Sequence, residues 1–89
     1  MTHSPLTSLQ QKRSFAQVNI RLKIGSRIRQ LRNAKGISQE ALAHLADLDR
    51  TYITSVENGK RNISIVNIEK ICKALEIPMS KFFSTKDFS

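Results

Sequence analysis

The sequence has little that would support an oxidised, secreted or membrane-spanning protein. It contains one cysteine, Cys72, so no disulfide can form within the chain, and we expect Cys72 to be a small buried residue. No apolar run at its start resembles a signal peptide, and no stretch approaches the roughly 18 apolar residues of a membrane-spanning helix. The sequence therefore predicts a cytoplasmic protein without a membrane partner.

Residues that commonly carry catalysis are also sparse. The two histidines, His3 and His44, have no cysteine or histidine neighbour at metal-ligand spacing. The seven carboxylates form no pair suited to acid and base catalysis, and the sequence contains no glycine-rich phosphate loop. We expect no enzymatic activity, no metal, no cofactor and no small-molecule ligand.

Acidic residues are also few compared with basic ones. Fifteen Lys and Arg against seven Asp and Glu give a net charge of +8. Residues 18–36 contain no acidic residue and six basic ones, which are Arg21, Lys23, Arg27, Arg29, Arg32 and Lys35. The excess indicates a polyanionic partner, and nucleic acid is favoured over a membrane surface because this stretch lacks a wide apolar face and carries Gly25 in its middle. We interpret these bases as a solvated face that attracts the partner at long range.

The spacing of apolar residues predicts one all-α domain. Residues 1–17 are polar and lack periodicity, so they are expected to form a flexible arm, residues 18–83 the domain, and residues 84–89 a tail. Five helices are predicted: from Val18 to Lys35, from Ser38 to Ala46, from Asp49 to about Asn58, from Ser64 to before Pro78, and a short one in "PMSKFF". Neither strands nor repeats are indicated.

The second and third predicted helices are each about nine residues long and too short to persist alone. Their apolar residues predict that the two pack against each other across a short turn: Leu42, Ala43, Ala46, Leu48, Ile53 and Val56. A small residue at Ala43 permits close approach, and Ile53 and Val56 can fill the angle between the helices. This pattern is typical of a helix-turn-helix unit.

The motifs "SQE.LA", "LDRTYI", "E.GKRN.S" and "I.KALEIP" resemble the Cro/repressor-type (XRE-like) helix-turn-helix family, and most of all the controller proteins of bacterial restriction-modification systems. The resemblance covers roughly residues 18–83. One departure is Asp47, where the family often has glycine in the turn. Aspartate adopts the left-handed conformation more readily than most residues, so the departure fits the same turn.

In such a unit the second helix enters the DNA major groove with its N-terminal residues toward the bases. We therefore expect Arg50 and Thr51 to contact bases, with Thr54 and Ser55 as secondary contacts one turn further on. Arg50 can bond guanine O6 and N7 together, and Thr51 offers a hydroxyl and a methyl group. The alternative interpretation of each is an ordinary solvated side chain.

The family resemblance implies further roles at matching positions. Gln39 would bond a backbone phosphate at the start of the second helix, while Asn58, Lys60, Arg61 and Asn62 would hold the backbone from the following loop. Arg61 is also a candidate for a narrow minor groove. Helical geometry turns Tyr52 partly toward the core, whereas the resemblance implies a place at the DNA, and we expect it to contact the backbone or minor groove. The resemblance also implies an ion pair between Arg32 and Glu57.

A single recognition helix covers only a few base pairs, so we expect a homodimer on a pseudo-palindromic operator in double-stranded DNA. The expected dimer surface consists of Ile77, Met79, Phe83 and Phe88, whereas Phe82 is expected in the monomer core. The function predicted is a sequence-specific transcriptional regulator of the controller type. The alternatives are a phage-type repressor, an antitoxin-like regulator, or a protein-interaction module that binds no DNA.

Overall fold

The structure, a computed structural model, describes residues 20–89, so the predicted arm at 1–17 lies outside the described residues. Within them the chain is helical and contains no strand, which confirms the all-α prediction. The first helix, α1, covers residues 20–35 of the described part. It is followed by α2 (Gln39–Ala46), α3 (Arg50–Glu57), α4 (Ile65–Ala74), α5 (Met79–Phe82) and a 3-10 turn (Lys86–Phe88). None of the helices described here is long and apolar enough to cross a membrane.

Side-chain caps fix where three of the helices begin. The side chains of Ser38, Asp49 and Ser64 accept a first-turn amide N–H of α2, α3 and α4 at 3.0, 2.9 and 3.1 Å. These caps satisfy backbone donors that have no partner within the helix. Between α2 and α3, Asp47 is left-handed, with φ 56° and ψ 50°. Aspartate thus takes the turn conformation for which the family often uses glycine.

The core lies where α2, α3 and α4 meet under α1 and α5. Leu42 and Ile53 from the helix-turn-helix unit are fully buried, and Phe82 from α5 closes the core at 0% exposure, as expected. Burial raises the pKa of the Cys72 thiol, consistent with its expected role as a small apolar residue. Arg27 of α1 secures α5, because its Nε and Nη2 donate to the carbonyls of Phe82 and Lys81 at 2.8 and 2.9 Å.

The segment predicted as a tail, residues 84–89, contains structure that the sequence pattern did not indicate. It includes the 3-10 turn, and this turn brings Phe88 back onto the aromatic residues of the α5 region. The Phe88 ring centroid lies 5.0 Å from that of Phe83 and 6.2 Å from that of Phe82. The aromatic contacts of Phe88 pack this short segment against the domain.

Helix α1 crosses the C-terminal end of α3 in direct backbone contact. Gly25 is buried there, and a Cβ built on it would lie 2.7 Å from the carbonyl oxygen of Glu57. One turn earlier, Leu22 packs against Gly59, which has φ +70° just after α3. The crossing places the N-terminal half of α1 beside the loop that follows α3.

Candidate nucleic-acid interface

Helix α3 divides into a buried and an accessible face. Ile53 and Val56 are buried at 0% and 1% exposure and hold the helix against the core. On the other side Arg50 and Thr51 are exposed. Thr54 and Ser55 are half-buried one turn further on. The four residues predicted to contact bases therefore lie at the surface of the helix and not in the interior.

The threonine hydroxyls of this face already donate their protons within the protein. Thr51 Oγ1 donates to the Asp49 carboxylate at 2.8 Å, and Thr54 Oγ1 is 2.8 Å from Gln39 Oε1 and 3.0 Å from the Arg50 carbonyl. A hydroxyl carries one proton but two acceptor positions. Towards an outside ligand, both threonines therefore act as hydrogen-bond acceptors.

The cap residue Asp49 remains ionised in this arrangement. The Thr51 amide and hydroxyl both donate to its carboxylate, and these hydrogen bonds lower the pKa of Asp49, with a smaller contribution from the charge of Arg50. Among residues 20–89, the Arg50 guanidinium has no hydrogen-bond partner, and it borders an open groove with Ser38 and Gln39. Arg50 is thus the free cationic donor at the leading edge of α3.

A buried carboxylate, Glu57, joins three helices beneath this surface. Arg32 donates to it through Nε at 2.7 Å and Nη2 at 3.0 Å, so the expected ion pair is present and bidentate. Arg29 Nε lies 3.4 Å away and Gln39 Nε2 donates at 3.0 Å. Burial by itself raises the pKa of Glu57, but the hydrogen bonds from Arg32 and Gln39 and the two arginine charges together lower it.

The contacts of α1 correct the prediction that its basic residues form a solvated face. That prediction was wrong for Arg27, whose guanidinium bonds the carbonyls of α5, and incomplete for Arg29, which bonds Glu57 while staying partly exposed. Arg32 forms the ion pair with Glu57 that the resemblance implied. Arg29 and Arg32 are three residues apart and share one helix face, a spacing that could have indicated a common acidic partner. For Arg32 the resemblance had implied Glu57, but that Arg29 meets the same acid depends on how α1 crosses α3, which a sequence pattern does not show.

The loop after α3 is braced by neighbouring side chains. Arg29 Nη2 donates to Asn58 Oδ1 at 3.0 Å, which turns the amide nitrogen of Asn58 away from α1. The Arg61 guanidinium lies 5.0 Å from the centroid of the Tyr52 ring, within the range of a cation–π contact. The Tyr52 hydroxyl accepts from Asn67 Nδ2 at 3.0 Å. Lys60 and Asn62 are exposed, so the loop presents two unobstructed polar groups.

Comparison with known proteins supports the same unit. A family model described as helix-turn-helix matches residues 28–82. The control protein C.MunI of a Mycoplasma species is 49% identical over 67 residues, which cover 74% of this chain and 90% of that protein. The crystal structure of the restriction-modification controller protein C.AhdI from Aeromonas hydrophila is similar with a TM-score of 0.69 and 52% identity, covering 71% of this chain and 96% of that one.

This chain belongs to the helix-turn-helix family of restriction-modification controller proteins. The similarity extends to a structure of C.Esp1396I bound to a 25 base pair operator site, with a TM-score of 0.67 and 41% identity. That comparison covers 71% of this chain and 83% of C.Esp1396I. The turn in which Asp47 departs from the common family pattern lies inside the matched region, so the departure is compatible with the fold.

In this controller protein Gln39 makes two hydrogen bonds within the protein, in addition to the phosphate contact that the resemblance implied. Its Oε1 accepts from Thr54 and its Nε2 donates to Glu57, so its side chain joins α2 to α3. One Nε2 proton remains, since a primary amide carries two. The side chain is therefore both an internal link and a candidate donor at the N-terminus of α2.

The apolar residues predicted for the dimer surface of the controller protein are half-buried. Ile77, Met79, Phe83 and Phe88 all pack against the core while keeping part of their surface accessible. The first turn of α4 is more exposed, with Ile65 at 64% and Val66 at 58%. The start of α4 is thus an accessible apolar surface that the sequence pattern had not indicated.

Proposed function

We propose that this protein is a sequence-specific DNA-binding transcriptional regulator that acts within a restriction-modification system and binds its operator as a homodimer. The observation that carries the proposal is the orientation of α3, which buries Ile53 and Val56 while presenting Arg50 and Thr51. Short side chains around one arginine permit close approach to base edges in the major groove. The operator-bound structure of the related C.Esp1396I supports the same use of the unit.

The donors and acceptors on the accessible face of α3 determine which bases it can contact. Arg50 supplies the free donor groups and suits guanine O6 and N7. Thr51 and Thr54 accept, because their protons are donated to Asp49 and to Gln39 or Arg50. In the major groove a threonine oxygen that accepts can take a hydrogen bond from cytosine N4 or adenine N6. The Thr51 methyl suits a thymine methyl. Ser55 is the remaining candidate base contact on this face.

The loop after α3 holds the sugar-phosphate backbone in this proposal. Asn58 presents its amide nitrogen, and Lys60 and Asn62 are exposed beside it. Arg61 is held over the Tyr52 ring, which reduces the side-chain entropy lost when it contacts a phosphate or a narrow minor groove. Gln39 contributes its remaining amide proton and the exposed N–H groups that begin α2. Tyr52 lies near enough to this loop to join the contact.

We expect a homodimer because the base-contacting face of α3 is small. Helix α3 has eight residues, so one copy contacts only a few base pairs. Two copies related by a two-fold axis would read half-sites about one helical turn apart, which predicts a pseudo-palindromic operator. The apolar surface available for pairing consists of Ile77, Met79, Phe83 and Phe88.

The test is a binding titration with Arg50→Ala on the operator found by footprinting upstream of the protein's own gene, and on random duplex. We expect Arg50→Ala to weaken operator binding about 5- to 150-fold, as loss of one bidentate base contact should, and to change random binding much less. Equal losses on both duplexes would remove Arg50 as a base contact.

Lys60→Ala is the matched control because Lys60 is also exposed but belongs to the backbone-holding loop. It should weaken binding to both duplexes alike and reduce the slope of log K against log salt by about one unit. A wild-type protein that shows no preference for any duplex from its own promoter region would contradict the proposed function itself.

A further inference from the structure

Arg21 lies at the end of α1 that approaches the loop after α3. Together with Arg61 and Asn62 it borders a pocket of about 200 Å³. The apolar part of the lining includes Ile24 and Val56, and no acidic residue lines the pocket. Two arginines and one asparagine thus border a single cavity beside the loop after α3.

The Arg21 guanidinium differs from the other arginines of the α1 crossing. Its Nε is buried and has no hydrogen-bond partner among residues 20–89. By contrast, Arg27 donates to two carbonyls, and Arg29 and Arg32 each donate to Glu57. A buried donor on a charged group is costly when it is unpaired. The arrangement is that of a donor whose partner lies outside residues 20–89.

We infer that Arg21, with Arg61 and Asn62, forms a binding site for a phosphodiester group of the DNA backbone. This inference rests on the proposed function and extends the backbone contact from the loop onto α1. A phosphodiester carries the negative charge that two arginines can neutralise, and its oxygens match the fork of guanidinium donors. The apolar lining, which includes Ile24 and Val56, suits the attached sugar.

The test compares Arg21→Met with Lys23→Met in the full chain. Lys23 is two residues away on α1, carries the same charge and is also half-buried, but it does not line the pocket. We expect Arg21→Met to weaken binding to operator and random duplex alike by roughly tenfold or more, with the salt slope reduced by about one unit. Lys23→Met should leave the slope unchanged.

Thermal unfolding separates this role from a structural one. Because Arg21→Met removes an unpaired buried donor and keeps the aliphatic stem, its Tm should equal or exceed that of the wild type. An unchanged salt slope in Arg21→Met would overturn the inference. A lower Tm combined with wild-type affinity per folded molecule would also overturn it, since Arg21 would then be a purely structural residue.

Titration with inorganic phosphate distinguishes a free anion from a DNA phosphodiester. If Arg21→Met loses phosphate binding but keeps the wild-type salt slope on DNA, the site takes a free anion and the inference fails. A wild type that binds every duplex equally would contradict the proposed function, yet the loss of affinity in Arg21→Met on those duplexes would still support the phosphodiester site.

Discussion

Gly25→Ala places two effects of opposite sign in competition at the α1–α3 crossing. Within a helix, alanine is favoured over glycine by about 1 kcal/mol, so helix propensity alone predicts a more stable protein. At this crossing the new Cβ would lie 2.7 Å from the Glu57 carbonyl oxygen and 2.9 Å from its carbon, and closer still to the Val56 carbonyl oxygen. Ordinary contact begins at about 3.4 Å, so relieving the Glu57 contact alone needs a separation of roughly the 0.7 Å between 3.4 and 2.7 Å, and the closer Val56 oxygen requires more.

The obstructing atoms belong to the backbone, so no rotamer change relieves the contact. Overpacking of this kind costs about 1–3 kcal/mol, and we place Gly25→Ala in the upper half of that range. Subtracting the propensity gain leaves a net destabilisation of about 1–2 kcal/mol. In a domain of this size, each kcal/mol lowers the Tm by about 4–8 °C.

Calorimetry or thermal circular dichroism measures this change directly. Ser26→Ala is the matched control, because Ser26 is the next residue of the same helix and is exposed. It should leave the Tm unchanged or slightly higher. If Gly25→Ala is as stable as the wild type or more so, α1 does not cross α3 at Gly25, and the reasoning from the backbone contact is refuted.

Two further predictions concern Glu57 and the dimer. Because the folded pKa of Glu57 is lowered, its ion pairs stabilise the protein fully above its ordinary value of 4.5 and less as the pH falls through the folded pKa. Glu57→Gln should therefore have a lower free energy of unfolding than the wild type at pH 7, and that free energy should fall less as the pH is lowered. If it falls as steeply as in the wild type, the pairing of Glu57 is contradicted. Sedimentation should give twice the 10.1 kDa chain mass for the wild type and a monomer for Phe88→Asp. A dimer that survives Phe88→Asp but not Val66→Glu would place the interface on α4.

The parts of the fold that sequence reasoning predicted are those encoded locally. Ser38 and Asp49 are typical N-cap residues, and the apolar spacing in α2 and α3 has one consistent helical solution. The family resemblance implied the turn at Asp47, and its left-handed conformation is one that aspartate tolerates. Each of these signals involves residues within a few positions of one another, so a linear pattern contains them.

The parts it missed depend on contacts between distant segments. Arg29 was interpreted as solvated, yet it bonds Glu57 and Asn58, which lie 28 and 29 residues away. The donation of the Thr54 proton to Gln39 is likewise a contact between helices. The direction of hydrogen bonding on the recognition face is set by these contacts, so residue type alone could not show that the threonines present acceptors.

The cap at Asp49 has a consequence for how such a regulator changes its target. The carboxylate holds the start of α3 through the main chain of Thr51 as well as through its hydroxyl. Only the second bond depends on which side chain occupies position 51. With Thr51 as a base contact, as proposed above, folding of the helix and choice of operator are separable at this residue, so one side-chain exchange changes the target without rebuilding the domain.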